Sequence, residues 1–143
     1  MKANLDLIGE YLARRPGRPA QLDEFAAAGV TSVEDLLEPF EQRMFFGCEA
    51  DDPLVGIAFG LDLEGTPARL RPMLGSDVSH WDAPVMSAVM VEAYELLEHG
   101  LLDADQFRDF TFTNAVRMHG GANPSFFVGT AVEAEAAAVL RRD

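Results

Sequence analysis

Two groups of side chains that are able to bind metals or transfer protons follow two short apolar runs of this chain. Glu49, Asp51 and Asp52 follow the first run, and a second group in "LGSDVSHWD" follows Met73 and Leu74. The second group contains two acids, an imidazole and the single tryptophan: Asp77, His80, Trp81 and Asp82. Carboxylate and imidazole ligands suit zinc, manganese or a similar divalent ion, which lowers the pKa of its bound water towards about 7. The residue types therefore predict a metal-assisted site.

Several of these acids also have a purely structural interpretation. Asp52 precedes Pro53 and is expected to act first as a helix N-cap, and Asp82, two residues before Pro84, is expected to start the next helix. Asp77 lies too far from that helix to cap it. Among the acids, Asp77 is therefore the favoured functional residue.

The histidines separate into two that helix ends explain and one that they do not. His99 and His119 each precede a glycine, where the helix macrodipole favours a cation. His80 has no such explanation, so that it is either a site residue or an ordinary surface residue. Trp81 either contacts substrate or packs into a core or a barrel rim, and Glu49 is either a solvated loop acid or part of the site.

Composition restricts the class of protein. The chain has 143 residues, 48% of them hydrophobic, which is enough for one domain with its own core. Its net charge of −13 repels phosphate backbones, so nucleic-acid binding is not expected. No apolar run approaches the roughly 18 residues of a bilayer span, and no membrane association is expected. Cys48 is the only cysteine; a reducing cytoplasm is therefore expected, with Cys48 as a small buried apolar residue.

Apolar patterning predicts mostly helix with about two parallel strands, at residues 43–48 and 69–75. A helix between the two strands makes them parallel neighbours with a right-handed crossover. Ligand sites in parallel α/β folds gather at the carboxyl ends of strands, so both acid-containing groups should share one face. The chain is expected to be a single partial domain with a helical lead-in, a strand–helix–strand–helix part, and C-terminal helices with a tail: 1–42, 43–98 and 99–143.

Local signals predict where some helices begin and end. Thr31 with Glu34, and Asp103 with Gln106, have the spacing of a capping box. Pro39 should end or bend the helix that contains it. We expect separate helices in "DADQFRDFTF" and "NAVRMHGG", a helix from Pro84, a marginal helix in "VEAEAAAVLRR" and a loop in "GLDLEGTPA".

Three segments in this order resemble the carboxyl-terminal part of an amidohydrolase-superfamily enzyme: "MFFGCEADDP", "LGSDVSHWD" and "VEAYELLEHGLLDADQFRDFTFTNAVRMHGGANPSFFVGT". The most similar branch is the amidohydrolase-related group, which includes metal-dependent decarboxylases. The resemblance implies an α/β fold, the C-terminal portion of a (β/α)8 TIM-type barrel. It also implies that Asp77, at the end of the last barrel strand, is a zinc or manganese ligand that accepts a proton from attacking water. His80, Trp81 and Glu49 would lie on the substrate side, and Asn114 would be structural.

The resemblance covers only the C-terminal part of a full barrel, and the chain contains no H-x-H pair. The expected function is therefore that of a portion of a metal-dependent hydrolase or decarboxylase acting on a small molecule, inactive as an isolated chain. An N-terminal barrel partner or a homo-oligomer would complete it. The alternative is a non-catalytic α/β interaction module or remnant that self-associates or binds a missing partner. A calcium-binding protein is disfavoured, because no D-x-D-x-D-G loop occurs.

Overall fold

The computed structural model describes residues 2–13, 24–62, 67–81, 83 and 85–142. The protein is a mixed α/β chain, about half helical, with a few short strands. In chain order its elements are α1 (Lys2–Ala13), α2 (Glu24–Ala27), α3 (Val33–Gln42), β1 (Phe46–Cys48), α4 (Val55–Ala58), β2 (Leu61–Asp62), β3 (Pro67–Ala68), β4 (Pro72–Leu74), α5 (Val89–Glu98), α6 (Ala104–Arg108), a π-helical segment (Asp109–Thr113), α7 (Asn114–Ala122) and α8 (Glu133–Leu140).

These elements form two compact units. The first unit consists of residues 1–44 and 60–70, and the second of residues 45–59 and 71–143. None of the described helices combines the length and the hydropathy that a bilayer-spanning helix requires.

In the first unit, the capping box at the N-terminus of α3 lies one residue later than predicted. The N-cap is Ser32, whose hydroxyl accepts a hydrogen bond from the Asp35 N–H, while the Asp35 carboxylate accepts one from the Ser32 N–H. The prediction of Thr31 with Glu34 was therefore wrong. Thr31 lies one residue earlier and donates both its N–H and its hydroxyl to Asp35. Pro39 does not end α3, which continues to Gln42.

A short antiparallel pair in the first unit was also missed. β2 pairs with β3, with Leu61 opposite Ala68 and Asp62 opposite Pro67, where the sequence predicted only a loop. The Arg69 N–H after β3 donates to the Glu41 carboxylate at 3.0 Å, which ties this pair to α3. The tie joins positions 28 residues apart, beyond the reach of local patterns.

The parallel strand pair predicted for the second unit is confirmed, with shorter strands. β1 and β4 align Phe46 with Pro72 and Cys48 with Leu74. The Gly75 N–H extends the ladder by donating to the Cys48 carbonyl at 2.7 Å. Pro72 is tolerated as the first residue of its strand, where a missing N–H costs least. Both strands therefore end at the same edge, immediately before the two acid-containing loops.

One continuous helical run, from Ala104 to Ala122, packs against β4. The predicted box of Asp103 and Gln106 is confirmed at its start. Two separate helices were expected, but the π-helical segment joins α6 to α7 without a break. The buried Asn114 side chain donates from Nδ2 to the Pro72 carbonyl at 2.9 Å, so it has the structural role expected of it.

The core of the second unit lies between the strand pair and the helices. Helix α5 was expected from Pro84, which lies outside the described residues, but it begins only at Val89, after turns at residues 86–88. Two apolar groups fill the core: Val55, Phe59, Leu96, Leu102 and Phe110, and beside them Ala50, Val89 and Ala93. Both groups touch Leu74, which anchors β4 between them.

Candidate functional site

The carboxyl ends of β1 and β4 bring the two acid-containing loops together around one small cavity. Its volume is about 130 Å³, and seven residues line it: Glu49, Ala50, Asp51, Ser76, Asp77, Ala83 and Glu92. The cavity can hold a few water molecules or an ion with its ligands, but it is well below the size of a drug-sized ligand pocket. Predicted residues from both loops therefore meet at the predicted edge of the strand pair.

Four carboxylates line this cavity, and one of them was not predicted. Glu92 is the acid in the first turn of α5, whose neighbours Val89 and Ala93 are buried in the core. Its position as the acid of the first turn of α5, next to the buried Ala93, was the available signal for it. Together the four carboxylates give the cavity a negative potential, which favours cations over anions.

Asp77 lies in a tight turn with an uncommon backbone conformation. Its φ is 44° and that of Ser79 is 93°, values that non-glycine residues rarely adopt. The His80 N–H donates to the Asp77 carbonyl at 2.9 Å, and His80 Nδ1 lies 3.5 Å from Asp77 Oδ2. The turn therefore holds the imidazole beside the carboxylate at the rim of the cavity, with both side chains partly exposed.

Two other predicted residues of this loop, His80 and Trp81, are not among the residues that line the cavity. Trp81 is 91% exposed, so in this chain it neither packs into a core nor closes the cavity. His80 reaches the cavity only through its contact with Asp77. Asp82 lies outside the described residues.

Asp52 takes part in a local turn. Its Oδ1 accepts a hydrogen bond from the Leu54 N–H at 2.8 Å, and its carbonyl accepts one from the Val55 N–H at 3.2 Å. The N-cap of α4 is Leu54, so Asp52 supports the entry to the helix from two residues upstream. The expectation that Asp52 is the N-cap of a helix starting at Pro53 was therefore wrong, because α4 begins only at Val55 and the Asp52 side chain bonds in the turn before it.

Cys48 ends β1 and is half-buried. Burial, and secondly the negative charge of Asp52, raise the pKa of its thiol. The thiol therefore stays protonated at neutral pH and is a poor nucleophile.

The other two histidines lie at helix ends as expected. His99 is the C-cap residue of α5, and His119 is in the last turn of α7. The His119 ring stacks on Phe126 with 4.6 Å between ring centroids. Packing therefore accounts for His119.

Within the described part of the chain, no three or more His, Cys, Asp or Glu side chains are grouped so that they could hold a metal ion. The carboxylates around the cavity therefore do not form a complete metal site by themselves. Comparison of the chain with models of protein families, with curated proteins and with solved structures finds no match.

Proposed function

We propose that this chain is the C-terminal portion of an amidohydrolase-type metal-dependent hydrolase or decarboxylase, inactive as an isolated chain. In this proposal β1 and β4 are strands of a (β/α)8 TIM-type barrel. One observation carries it: Asp77 meets Glu49 and Asp51 around one cavity at the carboxyl end of a parallel strand pair. That edge is where (β/α)8 enzymes hold their active sites.

The proposed cofactor is zinc or manganese, and Asp77 is the ligand that this chain contributes to it. The described residues do not fit a complete metal site, because no suitable group of three side chains occurs among them. The remaining ligands, imidazoles by the resemblance described above, would come from an N-terminal barrel part. When bound, such a metal supplies water with a lowered pKa.

The roles of this chain's own residues follow from their positions. The Asp77 carboxylate faces the cavity and is partly exposed, so it can accept a proton from water. The His80 ring, 3.5 Å away, positions that carboxylate from the rim. Glu49 lines the same cavity, and the exposed indole of Trp81 offers an apolar surface to a small-molecule substrate.

A second candidate function, a non-catalytic interaction module, is favoured by a different observation. Large apolar side chains are exposed on the second unit, among them Trp81, Met86, Leu54 and Val128. Where such side chains form a contiguous patch, the surface marks a protein interaction site or a site of aggregation. Either candidate needs a partner, an N-terminal barrel part or a second copy. The single Cys48 supports a reducing compartment such as the cytoplasm for the assembly.

The first test is the coding sequence immediately upstream of this chain. The proposal expects it to encode earlier barrel strands with an H-x-H pair. Unrelated neighbouring sequence would contradict an assembled enzyme and would favour the interaction module.

The second test measures metal content in the complex of this chain with that upstream product. We expect Asp77→Asn to weaken zinc or manganese binding by about tenfold or more, since it replaces a charged ligand by a neutral one. Asp52→Asn is the matched control: it removes the same charge but keeps an oxygen that can accept from the Leu54 N–H. Equal metal content in the two variants, measured by inductively coupled plasma mass spectrometry, would remove Asp77 from the site.

The third test of the same proposal uses the isolated chain. We expect it to be oligomeric or aggregation-prone, and to be silent towards a simple ester such as p-nitrophenyl acetate. A monomer that retains one equivalent of zinc and hydrolyses this ester would show that no partner is needed.

A further inference from the structure

A larger cavity lies in the helical part of the second unit, away from the residues that line the Asp77 cavity. Its volume is about 390 Å³, and it lies between the run of residues 104–122 and α8. Pockets for small molecules begin at roughly 300 Å³. The cavity is therefore large enough for an organic ligand, unlike the space beside Asp77.

Close packing of α7 against α8 frames this cavity. Ala136 is fully buried, and Leu140 lies so near Gly120 that a Cβ at position 120 would come within 2.6 Å of the leucine side chain. Glu135, Val139 and Arg142 lie at i, i+4 and i+7, so they share one face of α8 and its C-terminal turn. The packing of α7 against α8 keeps this face of α8 at the cavity.

The lining of this cavity combines apolar side chains with arginine side chains. Phe112 and Val139 contribute apolar surface, and the cationic residues of the lining are Arg108, Arg117 and Arg142. Arg108 also forms an ion pair with Asp105 at 3.1 Å. The chain has only 11 Lys and Arg residues against 24 Asp and Glu, so three arginines around one cavity concentrate positive charge in an acidic protein. An arginine guanidinium matches a carboxylate with two parallel hydrogen bonds.

Two acids also line the cavity and restrict the charge of a ligand. With Asp109 and Glu135 set against the three arginines, the formal charge of the lining is +1. Since Arg108 is also ion-paired with Asp105, outside the lining, the net positive charge left for a ligand is small. A singly charged anion therefore suits this lining better than a multiply charged phosphate.

The π-helical segment supplies an independent indication. Asp109, Phe112 and Thr113 of the lining belong to it. Single π-helical turns inserted in α-helices occur frequently at functional sites. Here the inserted turn lies directly at the cavity.

We infer that this cavity binds a small organic monocarboxylate, with its apolar body on Phe112 and Val139 and its carboxylate among the arginines. The inference does not depend on the proposed function at Asp77. A complete barrel is not needed for it, since every lining residue belongs to the second unit.

The experiment titrates the full chain with 2-naphthoate and with its neutral isostere 2-naphthamide, using calorimetry at low ionic strength. Saturable binding of 2-naphthoate is expected, with binding of the amide about tenfold weaker. Arg142→Gln is expected to weaken 2-naphthoate binding by about tenfold. Arg141→Gln is the matched control. It removes the same charge from the neighbouring residue, whose side chain is not part of the lining.

Three results would overturn the inference. One is an absence of saturable 2-naphthoate binding in the millimolar range. Another is equal affinity of the acid and the amide, which would mean that the arginines are not used. The third is an equal loss of affinity in the Arg141 and Arg142 variants, which would point to a general charge effect. Circular dichroism of both variants checks that α8 remains folded.

Discussion

Side chains differ in burial between the loop that follows β4 and the helical run that packs against β4. In the loop, Asp77 has a positive φ and stays partly exposed, and Trp81 is almost fully exposed. In the run, Phe110 and Val116 have no exposed surface, and the polar Asn114 is buried with a hydrogen bond to β4. β4 therefore packs against a well-buried helical run and is followed in the chain by a loop with largely exposed side chains.

The difference indicates where each kind of residue acts. A side chain with few packed neighbours contributes little to global stability, so it is free to bind ions or substrate. A buried polar group must have its hydrogen bond, because an unpaired one costs free energy. Substitutions in the run should therefore lower stability, and substitutions in the loop should mainly affect binding.

The largest effect is expected from Asn114→Ala. This change leaves the buried Pro72 carbonyl without its 2.9 Å partner and opens a small void, at a cost of about 1–3 kcal/mol. Chemical denaturation measures the free energy of unfolding. Asn123→Ala is the control, since the exposed Asn123 accepts only a local bond from the Ser125 N–H. Equal losses in the two variants would contradict the structural role of Asn114.

A smaller effect is expected from substitutions of Asp77 itself. Asp77→Val places a β-branched side chain at φ 44° and should cost about 1–2 kcal/mol of unfolding free energy. Asp77→Asn should be nearly neutral, because asparagine tolerates this conformation. If both variants unfold at the same denaturant concentration as the parent chain, the turn does not hold Asp77 in the left-handed region.

The smallest effect concerns Asp35, an acid whose carboxylate is occupied by a helix cap rather than facing a cavity. Hydrogen bonds from Thr31, its hydroxyl foremost, and from Ser32 lower the pKa of Asp35 below its ordinary value of 3.8. Because the folded pKa is the lower one, the cap contributes fully above the unfolded pKa and is lost as pH falls through the folded pKa.

Carboxyl-carbon NMR titration measures this pKa directly. Thr31→Val removes the hydroxyl donor and should move the midpoint of Asp35 up towards 3.8. An unchanged midpoint would mean that the hydroxyl does not bond the carboxylate in solution.

Local patterns predicted local features well. The Asp103 and Gln106 box formed as expected, because a carboxylate acceptor is followed three residues later by a side-chain amide. The parallel pair formed because two apolar runs flank a helix, and it brought Glu49 and Asp77 to one edge. Even the error at α3 was local, since Thr31 and Ser32 each have an acid three residues later and the sequence does not say which residue is the last outside the helix.

Features that depend on distant contacts could not be predicted. The pairing of Leu61 with Ala68 is a two-residue ladder with no alternating pattern. The join between α6 and α7 is a π-helical turn, whose extra residue leaves no signature in hydrophobic spacing. Glu92 looks like any acid of a helix until α5 is packed against the strand ends.

By itself the sequence determined the cap of α6, the apolar strands and the presence of acids directly after them, because these follow from the backbone preferences of neighbouring residues. Only the tertiary structure decided that Glu92 joins the Asp77 cavity and that Arg108, Arg117 and Arg142 surround another one. Side chains far apart in the chain meet according to how helices pack, and close packing in turn depends on details such as the fit of Leu140 against Gly120.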